Sequence, residues 1–134
     1  MILDTSAVLA ILQNEPEARA FGDALGAAPS VAIAAPTLVE VGIVAEARAG
    51  EAVRSRIARL LESLEAEVVP FTETHARAAL EGWRRYGKGR HPAGLNLGDC
   101  FAYALAVARD EPLLFKGENF ARTDVKAAIQ CPNC

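Results

Sequence analysis

The sequence predicts an α/β fold in which helices cover both faces of a central parallel β-sheet. Two observations indicate it: short apolar segments alternate with helix-like segments along the chain, and the apolar segments are continuous runs. Such runs are typical of strands in a parallel sheet, because helices bury both of its faces. The length of 134 residues suits one domain. We expect that domain to span residues 1–128 and residues 129–134 to be a disordered tail.

Four short apolar segments are the expected strands, and six helices are expected between and after them. The predicted strands cover residues 2–3, 31–33, 68–71 and 113–115. The predicted helices cover residues 7–12, 16–25, 37–49, 53–64, 73–83 and 97–109. Residues with N-cap chemistry precede or begin several of these helices, namely Thr5 and Ser6, Thr37, Thr72 and Asn96. Residues 87–94 are rich in Gly, Lys and Arg and predict a flexible basic loop.

Composition excludes several classes of protein. The formal charge of −3 argues against a protein that holds nucleic acid by bulk electrostatics, so any nucleic-acid contact should be local. Three cysteines do not make a disulfide framework, which favours a reducing, cytoplasmic environment. We expect neither a signal peptide nor a membrane span, because the longest apolar region, residues 31–39, contains a proline and is far shorter than the ~20 residues required.

Three acidic residues in apolar surroundings are candidate metal ligands. Asp4 ends the first strand, Glu40 interrupts an apolar helical segment, and Asp99 lies in the first turn of the last long helix. In a parallel α/β sheet these positions can converge at the carboxyl ends of the strands, and Mg²⁺ prefers carboxylate oxygens. Taken singly, Asp4 could instead cap a helix, Glu40 could face solvent, and Asp99 could complement a helix dipole.

Four ordered segments resemble the motifs of the PIN domain. Residues 1–7, 36–41 and 97–104 are similar to its three acidic motifs, and residues 113–125 to its last motif. The resemblance extends to about residue 126 and is in particular to VapC-type toxins. It implies a central parallel sheet, a Mg²⁺ or Mn²⁺ site, RNA cleavage and inhibition by a cognate antitoxin protein, and we also expect a homodimer. Asp4, Glu40 and Asp99 take the catalytic and metal-binding roles.

The resemblance leaves the fourth ligand open. The family often has Asp where this chain has Asn119, and Asp124 follows five residues later. We favour Asp124, although it could instead cap a helix from Val125. Ser6 matches a small hydroxyl residue of the family and could hydrogen-bond a carboxylate, or simply form a local turn.

The implied reaction is metal-assisted hydrolysis of an RNA phosphodiester. Basic side chains before Asp99 could bind phosphates or form a solvated helix end and loop, namely Arg84, Arg85, Lys88, Arg90 and His91. One alternative is a haloacid dehalogenase-type phosphatase, although Ser6 stands where that class needs a second Asp. Another is a catalytically silent PIN-like module that only binds a partner.

A zinc site at the C-terminus is not expected. Cys131 and Cys134 resemble half of such a site, but Cys100 is the only other cysteine and a closed zinc site usually needs four ligands.

Overall fold

Short strands and longer helices alternate in the computed structural model, which describes residues 1–129. The strands are β1 (Ile2–Leu3), β2 (Ala32–Ala34), β3 (Glu67–Val69) and β4 (Leu113–Leu114). The helices are α1 (Thr5–Leu12), α2 (Ala18–Ala27), α3 (Ala35–Ala49), α4 (Val53–Ser63), α5 (Glu73–Tyr86) and α6 (Leu97–Arg109), followed by a short 3₁₀ helix (Phe120–Arg122). The expected alternation is confirmed. Residues 130–134, with the predicted tail and Cys131 and Cys134, lie outside the described residues.

The four strands form one parallel sheet in the order β3-β2-β1-β4. Ile2 of β1 is in register with Ala32 on one side and Leu113 on the other. The chain first adds strands to one side of β1 and then places β4 on its other side, so the strand order reverses between β1 and β4. Ligands of such sheets bind at the carboxyl ends of the strands beside this reversal. Asp4 lies there, and its backbone N–H donates to Leu114 O at 3.0 Å.

Both faces of the sheet are buried. Successive strand residues point to opposite sides, so neighbouring residues of one strand belong to different apolar clusters. One apolar cluster contains Leu3, Ile33 and Leu114 and joins the sheet to α1, α2, α3 and α4. The other cluster contains Ile2, Ala32 and Leu113 and joins it to α6, with α5 outside. The predicted covering by helices on both faces is therefore confirmed. No helix within residues 1–129 is long and apolar enough to cross a membrane.

Three helix starts differ from the prediction. Helix α2 begins at Ala18 instead of residue 16. Asp4, and not Thr5 or Ser6, is the N-cap of α1. Helix α3 begins at Ala35, so Pro36 lies in its first turn and Thr37 is buried within the helix instead of capping it. Proline suits the first turn, because its missing N–H would have no partner there and its φ angle is helical. The predicted caps at Thr72 and Asn96 are confirmed, each with a reciprocal capping box.

The basic segment 87–94 forms no helix or strand, as expected, but it is tightly folded. Backbone hydrogen bonds join Lys88 N–H to Leu95 O and Leu95 N–H to Tyr86 O, each at 2.9 Å. His91 Nδ1 accepts from Ala93 N–H at 3.0 Å, and the side chains of Ala93 and Leu95 are fully buried. The segment thus leads the chain from the end of α5 to the start of α6 through fixed backbone contacts.

Candidate metal centre

Asp4 is a buried carboxylate at the carboxyl end of β1. Its Oδ2 accepts hydrogen bonds from Ser6 N–H at 3.0 Å and from Ser6 Oγ at 2.5 Å, which completes the N-cap of α1. Its Oδ1 is buried and, within residues 1–129, has no hydrogen-bond donor. Only 3% of Asp4 is exposed. An unpartnered carboxylate oxygen at this depth is costly unless a ligand satisfies it.

Ser6 connects Asp4 to the segment that follows β4. Its hydroxyl donates to Asp4 and accepts from Lys116 N–H at 2.9 Å. The Lys116 side chain points to other partners, the carboxylates of Glu15 and Glu17. The hydroxyl of Ser6 therefore connects Asp4 to the segment that follows β4.

Glu40 approaches from α3 and is half-buried. Its Oε1 accepts from Thr5 Oγ1 at 2.5 Å. Its carboxyl group lies against Gly98 of α6, where a Cβ atom would come within 2.6 Å of the carboxyl carbon. Helix α3 thus presents Glu40 between the first residue of α1 and the second residue of α6.

Asp99 occupies the third position of α6 and closes its capping box. Its Oδ2 accepts from Asn96 N–H at 3.0 Å, while Asn96 Oδ1 accepts from Asp99 N–H at 2.9 Å. The nearby side chain of Asn119 lowers the pKa of this carboxyl group. Asp99 is therefore fixed by its own helix and lies beside the segment that follows β4.

The pKa values of Asp4 and Asp99 are both raised. Burial raises the pKa of Asp4 to about 6; the hydrogen bonds from Ser6 oppose this, and the charges of Asp99 and Glu40 add to it. Burial and the charge of Glu40 likewise raise the pKa of Asp99. Within residues 1–129 no Lys or Arg forms an ion pair with any of the three. The cluster therefore holds like charges without a cation.

The donor set fits a hard divalent cation. All candidate ligands are oxygens, and Asp4 Oδ1 is buried without a protein partner. Among the described residues no group of three His, Cys, Asp or Glu side chains already has the spacing of a metal site. The residues that could hold the ion are Asp4, Glu40 and Asp99, with the amide of Asn119 beside Asp99.

Asp124 lies elsewhere and has its own partners. Tyr103 Oη donates to its Oδ1 at 2.8 Å, and Arg85 Nη1 pairs with its Oδ2 at 3.1 Å. It lines a small cavity with residues from the last turns of α6, whereas Asp99 lies in the first turn. No helix begins at Val125 within the described residues, so the alternative of a helix cap is wrong.

The predicted basic residues are dispersed. Arg84 approaches Glu81 at 3.8 Å, and Arg85 pairs with Asp124. Arg90 stacks over the Trp83 ring, with its guanidinium carbon 4.7 Å from the ring centre.

Lys88 lines an apolar groove of about 480 Å³ that Asn96, the N-cap of α6, also borders. His91 packs edge-on against Tyr86. Lys88 is therefore the predicted basic residue that shares a groove with the helix bearing Asp99.

Sequence reasoning missed two residues of the site. Thr5 was noted only for N-cap chemistry, although it donates to Glu40. Gly98 was not singled out, although glycine next to a candidate ligand at a helix start is itself a sign of close approach by another group. The partner of neither residue could be identified from the sequence, because Glu40 is 35 residues from Thr5 and lies on another helix.

Comparison with known proteins was made for both sequence and structure. A family model described as the PIN domain matches residues 1–126. The chain is 44% identical over 130 residues to ribonuclease VapC28 of Mycobacterium tuberculosis, a match covering 96% of this chain and 98% of that protein. It is 45% identical over 127 residues to a ribonuclease VapC of Mycolicibacterium smegmatis, covering 95% and 98%.

Two solved structures share the fold. VapC20 of Mycobacterium tuberculosis, described as a sarcin-ricin loop cleaving toxin, has a TM-score of 0.74 and 16% identity, covering 92% of this chain and 95% of that chain. A toxin–antitoxin complex from Klebsiella pneumoniae has a TM-score of 0.68 and 21% identity, covering 97% and 98%. At these identities the likeness concerns the fold alone.

Proposed function

The chain belongs to the PIN-domain family, and on that premise we propose that it is a divalent-metal-dependent endoribonuclease, the toxin of a toxin–antitoxin pair. The observation that carries this proposal is the buried Asp4 Oδ1, which has no donor within residues 1–129 and lies in a carboxylate on which the charges of Asp99 and Glu40 act. A bound cation would satisfy that oxygen and offset the repulsion among the three charges. The named relatives are ribonucleases, which makes RNA the substrate class.

Asp4, Glu40 and Asp99 would hold the ion, and Mg²⁺ is the proposed one, with Mn²⁺ as a substitute. Both prefer oxygen ligands and bind through a few carboxylates while keeping several waters. When bound, the ion makes water more acidic and stabilises the charge on the leaving oxygen of the phosphodiester. Asn119 is the better fourth ligand, because Asp124 is occupied by Arg85 and Tyr103. This reverses the preference from the sequence.

The chain's own residues set the geometry of the reaction. Ser6 occupies Asp4 Oδ2 with two hydrogen bonds, so Oδ1 remains directed to the crevice. Asn96 fixes Asp99 at the start of α6. Fixed carboxylates do not have to be ordered when substrate binds, which is how a preorganised site lowers the barrier.

The RNA strand would be held near Asp99 by a local positive surface. Lys88 borders the groove next to Asn96 and, within the described residues, forms no ion pair. Arg90 lies beside Trp83 on the same side of α5. Such contacts bind phosphates and position the strand without specifying its sequence. The net charge of −3 is consistent with RNA being bound by a few local basic side chains.

The antitoxin would close the acidic crevice. An arginine of the antitoxin near Asp4 and Asp99 would supply the missing cation through charge-assisted hydrogen bonds. We also propose a homodimer. Its proposed surface contains three exposed apolar side chains around a groove of about 500 Å³, namely Val39, Ile43 and Leu97. Ile43→Lys should then give a monomer in analytical ultracentrifugation, and an unchanged mass would exclude this surface.

The experiment that tests the function is RNA cleavage by the purified protein with EDTA, Mg²⁺ or Mn²⁺. We expect internal cuts only with metal, and relief of growth arrest when the product of the adjacent small open reading frame is co-expressed. A silent PIN-like module would bind Mn²⁺ without cutting RNA. A phosphatase would hydrolyse p-nitrophenyl phosphate and leave RNA intact. Either result would overturn the proposal.

A further inference from the structure

The side chain of Glu40 is held by the sequence neighbours of the other two acids. Thr5 follows Asp4 directly, and its hydroxyl donates to Glu40 Oε1 at 2.5 Å. Gly98 directly precedes Asp99, and the Glu40 carboxyl group lies over its Cα. The Glu40 carboxyl group is therefore held by the residues next to Asp4 and Asp99.

There is little space between Gly98 and the Glu40 carboxyl group. A Cβ atom there would lie 2.6 Å from both Oε1 and the carboxyl carbon of Glu40, which real Cβ atoms do not tolerate. Because the obstructing atoms are the end of a flexible side chain, an alanine would displace Glu40 and leave the backbone in place. By contrast, Gly42 on α3 has no atom within 4 Å of its hypothetical Cβ.

The hydrogen bond from Thr5 fixes the orientation of the Glu40 carboxyl group. Thr5 is 8% exposed and is the first residue of α1, so its hydroxyl cannot move far. A hydroxyl donating to a carboxylate makes a short, strong hydrogen bond that holds the acceptor in one orientation. With Oε1 held by Thr5, the rest of the carboxyl group lies on the side of Gly98 and Asp99.

We propose that Thr5 and Gly98 are positioning residues that set the Glu40 carboxylate in register with Asp4 and Asp99. This inference rests on the proposed metal-dependent function and deepens it. Neither residue is a metal ligand. Their effect passes through Glu40, so it should vanish when Glu40 can no longer act as a charged ligand.

The test compares Gly98→Ala with Gly42→Ala by calorimetric Mn²⁺ titration and thermal unfolding. We expect Gly98→Ala to weaken Mn²⁺ binding about 10-fold, the scale of losing a supporting group around a metal. Gly42→Ala should leave the affinity unchanged. Neither should lower the melting temperature, because alanine favours the helix more than glycine does. A melting temperature of Gly98→Ala below that of wild type would overturn the inference, because the alanine would then have disturbed the fold itself.

A second pair and a double variant exclude a general structural effect. Thr5→Val should weaken Mn²⁺ binding, and Thr5→Ser, which keeps the hydroxyl, should restore it. In the Glu40→Gln background, Gly98→Ala should add less than about a twofold change, since interacting positions are not additive. Full additivity, or wild-type affinity in both Gly98→Ala and Thr5→Val, would refute the positioning role. Failure of the wild-type protein to bind Mn²⁺ would instead refute the proposed function beneath it.

Discussion

Two acidic regions of this molecule solve the same electrostatic problem in opposite ways. Asp124 is more exposed than Asp4, yet both of its oxygens have partners, from Tyr103 and from the guanidinium of Arg85. Asp4 is almost fully buried, and one of its oxygens has no donor within residues 1–129. Its nearest charged neighbours are two more carboxylates. The more exposed acid, Asp124, has a cationic side chain as its partner, and within residues 1–129 the buried Asp4 has none.

On the proposed function, Asp124 is a structural acid and Asp4 is an acid kept for a ligand. A carboxylate that links elements is satisfied by the protein itself, as Asp124 is where it joins α5 to α6. A carboxylate that awaits a cation must stay unsatisfied and therefore costs stability in the empty protein. The pKa of Asp4, raised to about 6, reflects that cost. Four sets of variants test this contrast.

The largest expected effect is on catalysis. Asp4→Asn, Glu40→Gln and Asp99→Asn should each reduce Mg²⁺-dependent RNA cleavage by more than about 100-fold, beyond the loss from a merely supporting group. Asp124→Asn should stay within a few-fold of wild type, because it lies outside the cluster. Initial rates on one RNA, with circular dichroism to check folding, measure this. Comparable losses at Asp124 and Asp99 would remove the distinction.

The second effect is on the stability of the metal-free protein. The pKa of Asp4 is about 6 when folded and 3.8 for the ordinary group. Since the folded state binds the proton more tightly, ionisation of Asp4 destabilises the fold increasingly as pH rises from about 4 to 6. In EDTA, Asp4→Asn should therefore raise the free energy of unfolding by about 2–3 kcal/mol at pH 7.

Denaturant titrations at pH 4 and pH 7 measure this gain, which should nearly vanish at pH 4. A gain of equal size at both pH values would mean that charge is not its cause.

The third effect has the opposite sign. Asp124→Ala removes the acceptor of the largely buried Tyr103 hydroxyl and the ion-pair partner of Arg85. The ion pair is half-exposed and contributes little, so most of the loss comes from the hydroxyl. We expect the free energy of unfolding to fall by about 1–2 kcal/mol. Mn²⁺ affinity should be unchanged in calorimetry, and a weakened affinity would place Asp124 in the metal site after all.

The smallest effect concerns the fourth ligand. The Asn119 side chain lies near Asp99, so Asn119→Asp should tighten Mn²⁺ binding a few-fold by adding charge, and Asn119→Ala should weaken it by a similar factor. Both are measured by the same titration, with wild type as reference. Equal affinity in all three proteins would show that residue 119 does not belong to the site.

Local patterns allowed much of the fold to be predicted. The Asn96 cap, the apolar repeat that begins at Val53 and the continuous strand segments each depend on neighbours within a few residues. The start of α3 was misplaced, because Thr37 is a plausible cap and the compatibility of Pro36 with a first turn was not weighed. Local chemistry is compatible with either start, and the helix takes the earlier one.

The candidate site divides in the same way. Asp4, Glu40 and Asp99 were predicted from acids in apolar segments, together with the motif resemblance. The preference for Asp124 over Asn119 had no such basis, because Arg85 is 39 residues away and its pairing with Asp124 exists only in the folded chain. The close approach of the Glu40 carboxyl group to Gly98 likewise depends on how α3 and α6 pack against each other.

The position of β1 between β2 and β4 has a consequence for when the crevice comes into existence during synthesis. The Asp4 amide is held by Leu114, and Ser6 is held by Lys116, which follows it by 110 residues. A nascent chain that has not yet emerged beyond those residues leaves β1 without one neighbour and Asp4 without its anchors. Such long-range pairing also forms slowly. The anchors of Asp4 can therefore form only after the chain through Lys116 has been translated and has left the ribosome.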